Sequence, residues 1–429
     1  MLRRLYMRGV GPAPTLDLEF APRLNILTGD NGLGKSFVLD LVWWAHTRTW
    51  AGLPAVPHGD DPRLVVEGAM GKLAFDYAYD NQRWKNTSVD GGMPPDGLVI
   101  YARVDGGFRV WDRLRNSYSP FFPELNERAP DLPAAFDLSA QAVFDGLVRR
   151  GRVACNGLVR DWVDWMRQRS AQSADASSQV PVAFDVLEAV LAELSPSEQE
   201  MLVPGPPARV FIDDVRDIPT LALPHEPRPL PLTLASAGLR RIVSFAYVLV
   251  WAWVEHCQAA QVLRTTPRTR MTLLIDEFEL HLHPQWQRRI LPALLEALGR
   301  LSPALDVQIV ATTHAPLVLA SVESRFEPRR DRLFNLSIEE GQVRFEALEW
   351  AKHGNAARWL TSSVFGLERA TSRESERALG AADAFMRGAL DELPSDLDSR
   401  NKIDAELHRV LAAGDPFWVR WVSSEEIAS

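Results

Sequence analysis

Gly29-Asp30-Asn31-Gly32-Leu33-Gly34-Lys35-Ser36 decides how the rest of this chain is read. The apolar run Arg23–Thr28 (RLNILT) leads into it, and Phe37–Trp50 leaves it with an apolar, helical pattern. Strand, glycine-rich loop and helix is the order in which a phosphate-binding loop works. The glycines let the backbone close around a polyphosphate with its N–H groups pointing inward. The start of the following helix adds the positive end of its dipole. On this reading Asp30, Asn31, Gly32, Leu33, Gly34, Lys35, Ser36 and Phe37 line a nucleotide. Lys35 reaches the β- and γ-phosphates, and the Ser36 hydroxyl ligates Mg²⁺. Lys35 also stands out against its background, because only five of the 47 basic residues are lysines.

Far downstream, Thr272-Leu273-Leu274-Ile275-Asp276-Glu277 reads as a buried strand ending in two carboxylates. That placement suits Asp276 to hold Mg²⁺ and Glu277 to orient or deprotonate an attacking water, so the pair points to hydrolysis and not to binding alone. A second buried strand, VQIVAT (307–312), is followed by ATTHAP, which carries His314. A histidine just past a strand edge can sense or polarise a γ-phosphate. His281 and His283 in EFELHLHP invite a zinc reading, but no further ligand cluster accompanies them, and a loop between two ATPase heads fits them better.

The chain has 429 residues, 46% of them hydrophobic, which predicts two or three structural lobes. The net charge of −9 argues against a general nucleic-acid coat, although a local basic groove remains open. Two cysteines, Cys155 and Cys257, in no ligand or disulfide spacing predict a reducing, cytoplasmic setting. The N-terminal MLRRLYMRGVGPAP has no apolar signal region. The longest apolar run, Ile242–Val254, is too short for a bilayer and predicts a buried helix, so no membrane association is expected.

Leu16, Leu18 and Phe20 alternate with polar residues, as in a half-buried strand, and 60–112 is β-rich. Residues 120–205 read as helical, with a polar loop at 168–180. Helices are expected over 236–256 and 285–299 and strands over 271–275 and 307–312; the charged tail from 350 also reads as helical. Four regions follow: 1–112 with the phosphate loop and a β lobe, 113–205 as a helical lobe, 206–349 as the second half of the core, and 350–429 as a helical tail.

This order of motifs resembles the ABC-type ATPase superfamily. Within it the chain looks like the SMC/RecF-like ATPases of bacterial defence and repair, including Septu-type ATPases and the heads of overcoming-lysogenisation-defect nucleases. The matching stretches are LNILTGDNGLGKS, LASAGLRRIVSFAYVLVWAW, LLIDEFELHLHP and IVATTHAPLV, which cover 1–50 and 230–320. The resemblance implies an α/β ABC-type head with a mixed sheet core, an antiparallel β lobe and a helical lobe. It also implies ATP and Mg²⁺ as cofactors, and Ser236-Ala237-Gly238-Leu239-Arg240-Arg241 as a signature that completes a partner's site. Ser236 and Gly238 keep the pattern there, and Leu239 departs from the usual Glu or Gln. Two heads would then enclose two ATP molecules in a homodimer or higher homo-oligomer.

The function implied is an ATPase of an anti-phage defence system that controls a separate nuclease effector. The alternatives are a DNA repair clamp and an ATP-occupancy switch for a protein partner. Arg149-Arg150-Arg152 and Arg240-Arg241 are candidate DNA contacts. Asp396 and Asp398 form a lone D-x-D that reads as a solvated turn, and Gln82 is a poorly placed candidate for a Q-loop.

Overall fold

The computed structural model describes residues 1–428 except Asp60, 69–70, 89–96, 117–134, Arg150, 173–181 and His225. The chain divides into two compact units, Met1–Gly354 and Asn355–Ser429.

An eight-stranded mixed sheet organises the first unit. Its spatial order is Gln342–Leu348, Asp331–Glu339, Leu24–Gly29, Asp306–Thr312, Arg270–Ile275, Leu98–Ala102, Phe108–Asp112 and Phe136–Leu138. The inner strands, from Asp331–Glu339 to Leu98–Ala102, are parallel, and the outer ones pair antiparallel. Parallel strands are covered on both faces, so LVIYA and RMTLLI are near-continuous apolar runs. Register places Ile275 beside Ala102 and Ala311, and Thr312 beside Leu27. The carboxyl ends of these strands therefore finish along one edge, the usual ligand edge of an open α/β sheet.

A second sheet is wholly antiparallel, in the order Thr15–Glu19, Leu2–Arg8, Arg63–Gly68, Gly71–Ala78 and Arg83–Asn86. Thr15–Glu19 buries alternate residues, as one-sided cover requires. Buried Gln308 ties the two sheets by accepting from Leu2 N at 3.1 Å and donating to Leu2 O at 2.8 Å.

The helix Lys35–Thr47 is buried along Val38, Leu39, Leu41, Val42, Trp43 and Trp44. The helix Ala237–Val262 outruns the expected 236–256. By length and composition it could cross a membrane, but 78% of its apolar window is buried within the protein.

The helical reading of 120–205 needs correction. Its described part holds helices Ala140–Asp145, Leu158–Gln172 and Ala183–Glu193, but also the sheet strand Phe136–Leu138 and the hairpin Leu147–Arg149/Arg152–Cys155. Gly151, at φ 73°, makes that hairpin turn. Residues 168–172 end a helix, and 173–180 lie outside the described residues. The helix expected at 285–299 is split into Pro284–Gln287 and Ile290–Leu301.

In the second unit, helices Arg373–Arg387, Arg400–Val410 and Phe417–Ala428 pack around Leu379, Ile403, Leu407 and Trp421.

Candidate functional site

The phosphate loop leaves the strand Leu24–Gly29 and enters the helix at Lys35. Gly29 (φ 128°) lies so near the neighbouring strand that a Cβ would stand 2.1 Å from Leu336 O, and at Gly34 (φ 97°) it would stand 2.3 Å from Pro12 Cγ. Both positions exclude other residues by space as well as by dihedral. The helix has no side-chain cap and no acid in its first turn, which leaves its N–H groups open to an anion. Lys35 is buried, and its Nζ donates to Gly29 O at 3.0 Å and Asp30 O at 2.8 Å. Burial lowers its pKa, against the opposing pull of Glu277, Asp276 and Asp30. Asp30, Asn31, Gly32 and Ser36 are exposed, Leu33 is buried, and half-buried Phe37 packs against Gly11.

Asp276 and Glu277 follow the strand Arg270–Ile275. Asp276 is buried, and its N–H donates to Ala102 O at 2.9 Å. Thr312 joins both acids: its hydroxyl donates to Asp276 Oδ1 at 2.8 Å and accepts from Glu277 N at 3.0 Å. Glu277 is in the left-handed region at φ 45°. Its Oε1 lies 2.8 Å from His314 Nε2, an ion-pair distance; the angle is not that of a hydrogen bond, so Nε2 has no hydrogen-bond partner. Glu279, also buried, accepts from Thr313 Oγ1 at 2.6 Å and His314 N at 3.0 Å, and so fixes the backbone that carries the histidine. Burial raises the pKa of its carboxyl.

Asp40, on the phosphate-loop helix, is pushed up to about 6, first by burial and then by Asp276. Thr312, Glu279 and Asp40 were not singled out from sequence. Only the second glutamate of EFE and the threonines of ATTHAP gave any signal.

The residues present suit Mg²⁺, a hard cation that keeps water and phosphate ligands. Asp276 and the Ser36 hydroxyl are hard oxygen donors. No three His, Cys, Asp or Glu side chains gather as a metal cage among the described residues, so any ion here draws most of its ligands from water and phosphate.

Ser236 and Gly238 begin the helix Ala237–Val262. Ser236 Oγ accepts from Leu239 N at 3.3 Å as an ordinary N-cap, and it is exposed. Gly238 packs against His281 and Leu282. His281 takes φ 67°, and His283 caps the short helix Pro284–Gln287.

Arg241 is not a surface contact for DNA: it is buried and donates to the carbonyls of Val104, Arg103, Asp276 and Glu277. Arg240 and Arg152 are exposed, Arg149 is half-buried, and Arg150 lies outside the described residues. Gln82 (φ 53°) sits in the exposed turn before Arg83–Asn86, on the antiparallel sheet. The residue that follows Leu98–Ala102 at the site edge is Arg103, paired with Asp105 at 2.8 Å. In the second unit, Asp396 pairs with Arg377 and Asp398 with Lys402, and these partners hold both carboxyls below their ordinary range.

Residues 224–320 match the family described as "AAA domain, putative AbiEii toxin, Type IV TA system". Over 93 residues the chain is 29% identical to the "Retron Ec83 probable ATPase" of Escherichia coli, and over 52 residues 44% identical to the "Retron Vc95 probable ATPase" of Vibrio cholerae. These alignments take in 22% and 12% of this chain, and only 14% and 9% of those proteins. The fold is similar to the SMC head domain from Thermotoga maritima (16% identity, TM-score 0.39, 81% of this chain and 99% of that one). It is also similar to the recombination mediator protein RecF (13% identity, TM-score 0.33, 81% and 99%). Over residues 224–320 the chain is thus similar to an AAA-family model, and over short stretches to two retron ATPases.

Proposed function

We propose that this chain binds Mg–ATP at the strand edge and hydrolyses it. A head-to-head pair would do so within a cytoplasmic anti-phage defence system, controlling a separate nuclease effector. The observation that carries the chemistry is the convergence of three sequence-distant segments. Gly29–Ser36, Asp276–Glu277 and Thr312–His314 end adjacent parallel strands, with Glu277 Oε1 2.8 Å from His314 Nε2. Kinship with retron ATPases supports the defence setting.

Phosphoryl transfer to water needs positioning and charge neutralisation more than covalent chemistry. Asp276 and Ser36 would hold Mg²⁺, which supplies charge neutralisation on the phosphates. Lys35 exchanges two backbone carbonyls for phosphate oxygens. Glu277 orients the attacking water and accepts its proton, and His314, beside it, meets the γ-phosphate. Ser236 and Gly238 offer a hydroxyl proton and backbone N–H groups at the helix start to a partner's nucleotide, while Ser236 Oγ still caps Leu239 N.

The test is nucleotide binding, turnover and particle mass by light scattering, with and without ATP and Mg²⁺. Lys35→Ala is expected to lose binding. Glu277→Gln is expected to bind ATP and accumulate as the paired form. Turnover by Glu277→Gln at the parent rate would remove Glu277 from the water-activating role.

A further inference from the structure

The helix Ala237–Val262 grips the acid pair's turn at two points. At Gly238 a Cβ would stand 2.8 Å from His281 O, in the loop just after Glu279. One turn on, Arg241 Nη1 donates to Val104 O at 2.9 Å, and Nη2 reaches Arg103 O at 3.4 Å, Glu277 O at 3.3 Å and Asp276 O at 3.5 Å. The guanidinium also lies 5.4 Å from the Phe278 ring centroid. Among the described residues no carboxylate lies at ion-pair distance from Arg241, although the charges of Glu279, Asp105, Asp276 and Glu277 act on it from farther away, and its Nε has no hydrogen-bond partner. A buried cation whose hydrogen bonds all go to carbonyl oxygens is costly to keep, and burial lowers its pKa against the pull of the nearby carboxylates, so an apolar side chain would be the cheaper way to fill the space. What the guanidinium does that an apolar group cannot is hold the turn in which Glu277 takes φ 45°.

Ser236, Gly238 and Arg241 lie within the first turns of one continuous helix and move as one body. We infer that Arg241 is a positioning residue coupling two nucleotide sites. The helix end that closes on a partner's nucleotide through Ser236 and Gly238 also sets, through Arg241, the turn from which Glu277 serves its own chain's nucleotide. This rests on the ATPase reading above. A shift of the helix end moves the carbonyls of Asp276 and Glu277, and with them the 2.8 Å contact of Glu277 with His314. Hydrolysis in one site therefore depends on what the same chain has captured in the other.

Steady-state turnover, nucleotide titration and mixed assemblies test this. Arg241→Gln is expected to lower kcat by about tenfold to a hundredfold with nucleotide Kd within about twofold, the effect of a misplaced rather than a missing group. Arg241→Lys should recover part of the loss, because an ammonium reaches some of the same carbonyls. In assemblies where a Lys35→Ala chain covers the other chain's nucleotide but binds none of its own, turnover per bound nucleotide should already fall below the parent's, and any further loss should follow Arg241→Gln only when it sits in the nucleotide-binding chain. Three results overturn the inference: parental kcat in Arg241→Gln, equal losses of kcat and affinity unrelieved by lysine, or a loss that follows the covering chain. If Arg241→Gln does not fold, Arg241→Met, which fills the same space with an apolar side chain, is read in the same mixed assemblies, with the same outcomes deciding. A parent chain that binds ATP without turnover refutes the ATPase reading itself, which separates that failure from this one.

Discussion

Thr312→Val removes one hydroxyl and almost no volume. The hydroxyl it deletes donates to Asp276 Oδ1 at 2.8 Å and accepts from Glu277 N at 3.0 Å, at a position 1% exposed. The buried carboxylate of Asp276 and the part-buried N–H of Glu277 would each lose this partner. A hydrogen bond to a carboxylate is worth about 1.5–3 kcal/mol and a neutral one about 1 kcal/mol, so the loss should be about 3 kcal/mol. Unfolding entropy of about 2.1 cal/mol/K per residue across Met1–Gly354 gives about 0.7 kcal/mol/K, which converts that loss to about 4 °C in Tm. Thr312→Ser keeps the hydroxyl and should lose far less. Turnover should fall with Thr312→Val, because the N–H anchoring the Glu277 turn is freed, while nucleotide affinity is retained. Scanning fluorimetry beside a phosphate-release assay reads both. A Thr312→Val chain with parental Tm and kcat would refute the claim that this side chain organises the acid pair.

Asp40, raised to about 6 from the ordinary aspartate value of 3.8 chiefly by burial, favours its neutral form in the folded chain. Its contribution is therefore fully present below about pH 4 and is lost as pH rises through about 6, so Asp40→Asn should raise Tm at about pH 7.5 by a margin that vanishes near pH 4. Gly29→Ala should cost several degrees of Tm because its Cβ meets the Leu336 carbonyl, whereas Gly32→Ala, with nothing within 4 Å, should cost only the roughly 1 kcal/mol of its left-handed backbone. Circular-dichroism melts compare the two. Glu279→Gln should lower kcat by about tenfold with nucleotide Kd unchanged, since the Thr313 and His314 donors lose a charged acceptor. Equal turnover in parent and variant would free His314 from that dependence.

The loop at 29–36, the acids at 276–277 and the histidine at 314 were legible because each follows an apolar strand and carries its own chemistry in sequence. Thr312 was not, because its role depends on the register of Asp306–Thr312 against Arg270–Ile275, which no local pattern encodes. Arg241 looked like surface charge for the same reason, as its carbonyl partners at 103–104 and 276–277 lie far away in sequence. The short strand Phe136–Leu138 and the hairpin around Gly151 were hidden in a helical reading, since strands of three or four residues show too little alternation to register.

The strand Leu24–Gly29 sits between Asp306–Thr312 and Asp331–Glu339, both made some 280 residues or more after it. On a ribosome adding about 5–20 residues per second, it waits roughly 15–60 s with neither neighbour in place. During that interval an apolar segment with open edges needs shielding by chaperones. A prematurely terminated product keeps the glycine loop in its sequence but lacks the flanking strands that shape it. Nascent chains of this protein should be safe from spurious ATP consumption and prone to aggregation in the same interval.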